Sequence, residues 1–346
     1  MKFVVTMPEG PVFETFWSPD ERRQLEALGE AQWNTLGRQF TPEELAERLR
    51  GAEVCVTGWG APVFDERVLS GADALRLIAH TGGSVKPYVT DLCYQRGIRV
   101  LSGNRVFAES VAEGVIAYAL ASLRRIPLYA TQLQHGYWNG EIKNRGLLDR
   151  KVGIVGYGMI ARDVIEMLRP FHCPIAVYSR HLPPHALQAQ GLEQLGLEEL
   201  FAACDVISLH SGMTPENHHL VTQAMLRSMK PGALLINTAR GALIDEAALC
   251  RVLAERPDLS AALDVYETEP LPEGHPLQSL DNVLLMPHMG GPTIDRRRAV
   301  TKSVLGDIRH FLAGEPLSCE ISRSYAEKYG GSQSVPILTQ HTLDVL

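Results

Sequence analysis

The six cysteines, Cys55, Cys93, Cys173, Cys204, Cys250 and Cys319, include no CxxC pair. Such scatter suggests neither a zinc site nor a disulfide framework, and it reads as buried structural thiols. Positive charge is not in surplus either: 33 Lys and Arg against 40 Asp and Glu leave a formal charge of −7, and no basic run interrupts that balance. This argues against nucleic acid as the main partner. No uninterrupted apolar run approaches the roughly 18 residues that span a bilayer, and the start MKFVVTMPEG has no basic region leading into a long apolar stretch. The expectation is a soluble, cytoplasmic protein with no membrane partner.

What is present is ordinary core material, 45% hydrophobic over 346 residues. That length exceeds the roughly 250 to 300 residues at which single cores stop growing, so two domains are expected. In the first hundred residues, strand-like runs at Lys2 to Thr6, Val54 to Gly58, Leu75 to Ala79 and Ile98 to Leu101 alternate with polar helical stretches, as in a small α/β domain. One stretch, TPEELAERLRG from Thr41 to Gly51, has Thr at the cap, Pro in the first turn and Gly at the end, which predicts a surface helix. From Glu109 to Ile126 the apolar residues run around most of the circumference, the pattern of a helix buried on several sides.

From Val152 onward strand and helix alternate with clarity. VGIV, IAVYS, DVISLH, ALLINTA, SAALDVY and VLLMPH read as six strands of a parallel, doubly wound sheet. Arg296 to Leu312 then has the spacing of a long amphipathic helix able to return the chain to the first domain. The tail beyond Gly314 is weakly periodic and is expected to be partly mobile.

The run VGIVGYGMIA, from Val152 to Ala161, sets G-x-G-x-x-A directly after a strand and at the opening of a helix. That context makes it a dinucleotide fingerprint. Gly156 permits the tight turn, Gly158 lets the backbone approach a pyrophosphate, Ala161 allows close packing, and the N–H groups of Met159 and Ile160 open the helix toward the anion. At the end of the second strand, Ser179 and Arg180 stand where a carboxylate would bind the ribose of NAD. Ser179 can donate to a 2′-phosphate and Arg180 can pair with it, so NADP is favoured over NAD.

Three later segments complete the pattern: INTARGALIDE from Ile236, ALDVYETEPLP from Ala262, and PHMGGPT from Pro287. With the fingerprint they resemble the D-isomer-specific 2-hydroxyacid dehydrogenase family, most strongly from about Ala108 to Ala313. The resemblance implies a Rossmann cofactor domain over residues 106–302, inserted into a smaller flavodoxin-like α/β substrate domain made of residues 1–105 and 303–346. It also implies hydride transfer between NAD(P)H and a small 2-oxo or D-2-hydroxy acid, in a homodimer.

In that family pattern Arg240 matches the substrate arginine, whose planar fork suits a carboxylate beside a carbonyl. His288 matches the acid/base histidine, and Glu269, rather than its neighbour Glu267, matches the carboxylate that hydrogen-bonds it. Asp264 and Thr238 match residues beside the nicotinamide ring; their plainer reading is as strand-end polar groups.

The family's G-x-G-x-D loop is altered here to Gly82-Gly83-Ser84-Val85-Lys86. Gly83 and Ser84 still offer N–H groups to a substrate carboxylate, and Lys86 either adds a positive charge or is simply solvated. The third strand also departs, with HSGMTP from His210. His218 and His219 lack partners at metal-ligand spacing and read as surface residues, so no metal is implied. The alternative function is a nucleotide-sensing, corepressor-like binding protein of the same fold.

Overall fold

The computed structural model describes every residue except 139, 181–184, 186–188 and 326–346, so most of the polar tail lies outside the described residues. The chain divides into two compact units, Met1–Phe107 with Pro292–Leu346, and Ala108–Gly291.

The first unit alternates β1 (Lys2–Pro8), α1 (Pro11–Phe16), α2 (Pro19–Glu26), β2 (Glu30–Asn34), α3 (Pro42–Arg48), β3 (Val54–Thr57), α4 (Glu66–Leu69), β4 (Leu77–His80), α5 (Asp91–Gln95) and β5 (Arg99–Ser102). Its sheet is parallel, in the order β2-β1-β3-β4-β5, the flavodoxin-like arrangement. Strands β3 and β4 are buried along their whole length, which is why they read as continuous apolar runs. Strand β2 was not foreseen: EAQWN is polar, and it lies at the sheet edge with only its last residue buried, so no alternation announces it. The predicted helix from Thr41 is α3, and Thr41 caps it reciprocally: its hydroxyl accepts from Glu44 N–H, and its own N–H donates to the Glu44 carboxylate.

The second unit begins within α6 (Asn104–Leu123) and continues through α7 (Ile126–Gln134), β6 (Val152–Val155), α8 (Met159–Leu168), β7 (Ile175–Tyr178), β8 (Glu193–Gln194), α9 (Leu197–Ala203), β9 (Val206–Leu209), α10 (Gln223–Ser228), β10 (Leu234–Asn237), α11 (Glu246–Glu255), β11 (Ser260–Leu263) and β12 (Val283–Leu285). Its parallel sheet has the order β12-β11-β10-β9-β6-β7-β8, the Rossmann winding. The six expected strands are joined by β8, a two-residue exposed edge too short to be read from sequence. Winding reverses between β6 and β9, which stay paired to their carboxyl ends, so the connections leaving those ends pass to opposite faces of the sheet, the place where such sheets bind ligands.

The last described helix, α12 (Arg297–Ala313), places Val300, Val304, Leu305 and Ile308 in the same core as Phe3, Val5 and Leu77. For that reason the inserted unit ends at Gly291, earlier than the boundary at 302 expected from the sequence.

Helix α6 corrects another expectation. By length and composition it is apolar enough to cross a bilayer, although charged residues interrupt it and conceal this from a count of uninterrupted apolar residues. Its Ala112, Val115, Tyr118, Ala119 and Leu123 instead pack with β6 and α8 in the core of the second unit. Arg125, at φ +54°, ends that packing, and α7 beyond it buries no side chain.

Candidate functional site

The fingerprint glycines have distinct structural reasons. Gly156 adopts φ +102°, and a Cβ there would come within 2.8 Å of the His210 carbonyl group, at the end of β9. Only glycine tolerates both demands. Gly158 caps α8, and a Cβ on it would meet nothing within 4 Å; the backbone is open on that side. No side chain caps α8, so the N–H groups of Met159 and Ile160 are not taken by a capping side chain, while Ala161 is fully buried. An open glycine before an uncapped helix at the switch point fits a pyrophosphate. Just beyond β10, the next strand but one, Thr238 keeps its hydroxyl enclosed without a protein partner, a further polar atom for a bound group.

Ser179 and Arg180 follow β7 at the same edge. The Arg180 guanidinium donates to Asn217 Oδ1, and the Asn217 amide donates to the Gly212 carbonyl at 2.9 Å, which fixes which way that buried amide faces. Asn217 was not foreseen, because 37 residues separate it from Arg180 and no local pattern marks it.

Arg240, Glu269 and His288 follow β10, β11 and β12, three adjacent strands, and the structure gathers them at one edge of the sheet. His288 does not end its strand: β12 stops at Leu285, and His288 stands in the turn beyond, at φ +52°. A left-handed histidine costs of order 1 kcal/mol or more and needs surroundings that enforce it. Asp264 provides them, since its two carboxylate oxygens accept from Met289 N–H at 2.8 Å and Gly290 N–H at 2.7 Å. Burial raises the Asp264 pKa, with those N–H groups opposing it. The residue expected beside the nicotinamide thus also holds the backbone that follows His288.

The His288 ring places Nδ1 2.6 Å from Glu269 Oε2, and the other oxygen of Glu269 accepts from Tyr266 N–H at 3.0 Å. Burial acts to raise the Glu269 carboxyl, but the hydrogen bond and charge of His288, the Tyr266 N–H and the charge of Arg240 outweigh it and hold it below the usual range. Glu267 points elsewhere, pairing with His219 Nε2 at 2.7 Å. His219, with its side chain 39% exposed, is a surface residue that partners this loop. Among the described residues no cluster of three or more His, Cys, Asp or Glu is disposed to hold a metal.

Arg240 is exposed, and its carbonyl accepts from the Asn237 side chain at 2.9 Å, which shapes the turn after β10. The Tyr266 hydroxyl joins the next two strand ends, donating to the Met286 carbonyl at 2.8 Å and accepting from Met286 N–H at 3.1 Å.

In the first unit, Gly83 and Ser84 follow β4. Gly82 packs on buried His80, whose Nε2 would lie 2.2 Å from a Cβ at position 82, and its carbonyl accepts from Gly103 N–H at 2.9 Å. Ser102 donates its hydroxyl to the Gly83 carbonyl. His80 itself bonds Thr57 through Nδ1 at 2.9 Å, and burial pushes its pKa down to about 3.

A Rossmann winding with an open fingerprint turn and an ordered histidine–glutamate pair at its strand ends defines a dinucleotide-binding α/β protein. Residues 116–290 match the NAD-binding domain of the D-isomer specific 2-hydroxyacid dehydrogenases. A glyoxylate reductase of Thermococcus litoralis is 33% identical over 279 residues, covering 78% of this chain and 84% of that protein. A D-3-phosphoglycerate dehydrogenase of Methanocaldococcus jannaschii is also 33% identical, over 86% of this chain, which spans only 56% of that longer protein. Among solved structures, a Thermus thermophilus protein superposes with TM-score 0.75 at 31% identity, covering 93% of this chain and all of its own. A glyoxylate reductase of Paecilomyes thermophila superposes with TM-score 0.78 at 25% identity, covering 93% of this chain and 98% of that one. The chain belongs to the D-isomer-specific 2-hydroxyacid dehydrogenase family.

Proposed function

We propose that this protein is an oxidoreductase that reduces a small 2-oxo acid, such as glyoxylate or hydroxypyruvate, to its D-2-hydroxy acid, drawing on NADPH in preference to NADH. The observation that carries the reading is the 2.6 Å contact between Glu269 and His288 Nδ1, with Arg240 on the neighbouring strand end. When bound, the nicotinamide supplies the hydride, or accepts it in the reverse direction. Gly156, Gly158, Met159 and Ile160 hold the pyrophosphate, and Ser179 and Arg180 hold the ribose and its 2′-phosphate.

Glu269 accepts the Nδ1 proton of His288, which fixes the tautomer and the ring's orientation and leaves Nε2 for the substrate. From Nε2 the ring gives a proton to the carbonyl oxygen as it becomes an alkoxide, and in oxidation takes it back. The Arg240 guanidinium holds the carboxylate and polarises the adjacent carbonyl. In the first unit, the N–H groups of Gly83 and Ser84 are the donors assigned to a substrate carboxylate.

Cytoplasmic residence and homodimer assembly belong to the same reading. All six cysteines are free, as a reducing compartment keeps them. Ile126, Leu133, Tyr137, Trp138, Ile142 and Leu148, on α7 and the segment after it, leave more apolar surface open than an isolated subunit favours.

The test is a panel of 2-oxo acids incubated with NADPH and with NADH while the absorbance of the reduced cofactor is followed. Oxidation with at least one short 2-oxo acid, yielding the D-product, is expected. No turnover with any of them would sink the proposal.

A further inference from the structure

Arg297 opens α12, with its guanidinium carbon 5.3 Å from the Trp59 ring centroid and 5.6 Å from that of Phe16. One terminal nitrogen donates to Thr15 Oγ1 at 3.2 Å, while Nε is enclosed without a hydrogen-bond partner. Among the described residues no carboxylate forms an ion pair with it, and burial, with no acid opposing it, lowers its pKa. A half-buried guanidinium normally has an acid beside it, because desolvating an uncompensated charge is costly. The helix gives no compensation, since its first turn holds no acidic residue and the dipole there favours anions over cations. Neither an ion pair nor the helix accounts for Arg297.

Its place in the first unit supplies a reason. Val300, one turn further along α12, abuts Gly103, where a Cβ would lie 2.4 Å from its Cγ1, and Gly103 N–H donates to the Gly82 carbonyl. By a second route, the Trp59 ring meets Phe107 edge-on at 6.4 Å between centroids, and Phe107 lies 3.0 Å from where a Cβ on Gly83 would be. Both chains of contact lead from Arg297 to the Gly82–Ser84 loop.

We propose that Arg297, seated on Trp59, is the cation of a second anion subsite, which takes an acidic group at the far end of a 2-oxo acid whose own carboxylate lies on the Gly83 and Ser84 N–H groups. The inference rests on the reading of those two residues given under Proposed function. A carboxylate and a phosphate present the same oxygens to a guanidinium fork, and the substrates below separate them.

The experiment compares wild type, Arg297→Gln and Arg297→Lys. Kinetics are measured with pyruvate and hydroxypyruvate, whose far ends are neutral, and with oxaloacetate and 3-phosphohydroxypyruvate, whose far ends are acidic. Thermal unfolding is followed in parallel with and without inorganic phosphate. In Arg297→Gln, kcat/KM for at least one acidic substrate should fall by about tenfold or more, the size of a lost charge-assisted hydrogen bond, while the neutral pair stays within about threefold. Arg297→Lys should lie between, and phosphate should raise the melting temperature of wild type but not of Arg297→Gln. Equal losses on all four substrates, or no selective loss on either acidic one, would overturn the subsite. If no 2-oxo acid is reduced by wild type, the reaction itself is wrong; a phosphate effect lost in Arg297→Gln would then sustain the anion site, and an effect equal in both would remove it.

Discussion

Gly241 lies so close to Tyr266 that a Cβ on the glycine would stand 1.9 Å from the tyrosine carbonyl carbon. This contact presses the turn that carries Arg240 against the loop that carries Glu269, two groups that arrive from different strands. Gly241→Ala must force the two backbones apart. A stability loss of about 1 to 3 kcal/mol is expected, the range for overpacking, together with a fall in kcat/KM. Denaturant unfolding and steady-state kinetics on one preparation check both; a variant with wild-type midpoint and activity would show that the contact does not hold the loop.

Replacing His288 by Ala removes the proposed proton donor but none of the groups assigned to the cofactor. Turnover should fall by about 10² to 10⁴, with cofactor binding, followed by fluorescence of the reduced nicotinamide, nearly unchanged. Turnover within threefold of wild type would remove His288 from the chemistry.

Acid sensitivity should trace to two histidines, buried His80 and half-buried His210. Burial pushes the His80 pKa down to about 3 and that of His210 to about 4, below the value of about 6.5 in an unfolded chain. Between those values the unfolded state binds protons that the folded state refuses. Stability is therefore fully present above about pH 6.5 and is lost as pH falls toward the folded values, by at most about 1.4 kcal/mol per pH unit for each group. His80→Gln should flatten the decline in melting temperature between pH 7 and pH 5; an unchanged slope would exclude His80 as its source.

The proposed preference for NADPH places cofactor choice on Ser179 and Arg180, the latter bonded to Asn217. Ser179→Asp should move preference toward NADH by repelling the 2′-phosphate. The measurement is the ratio of kcat/KM values for the two cofactors, and a wild type already tenfold better with NADH contradicts the premise.

Assembly is expected through α7 and the segment bearing Trp138, where Ile126, Leu133 and Trp138 lie exposed, rather than through α6, whose apolar side chains are largely buried within the chain. Isologous pairing would cover that surface. Light scattering at micromolar concentration should give twice the mass of one chain, and charged substitutions at Leu133 and Trp138 should halve it. A wild-type mass near 38.1 kDa would refute the dimer.

Local sequence determined the parts of this protein whose signals are local. Fully buried parallel strands such as β3, β4 and β6 read as apolar runs, the cap of α3 lies within four residues, and the fingerprint needs only the geometry of one turn. Strands β2 and β8 escaped because partly exposed edges impose little apolar pattern. The sequence also offered Arg240, Glu269 and His288 as candidates, through motifs rather than physics, since nothing in YETEP itself separates Glu267 from Glu269. Only the tertiary structure decided that Glu269 turns to His288 while Glu267 turns to His219. It alone showed that Asp264 holds the turn after His288, that Asn217 faces Arg180, and that Arg297 rests on aromatic rings without an acid. Each of these is a contact between residues far apart in the chain, set by the crossovers that bring strand ends to one edge of a sheet, and side-chain contacts of that kind have no period or spacing to read.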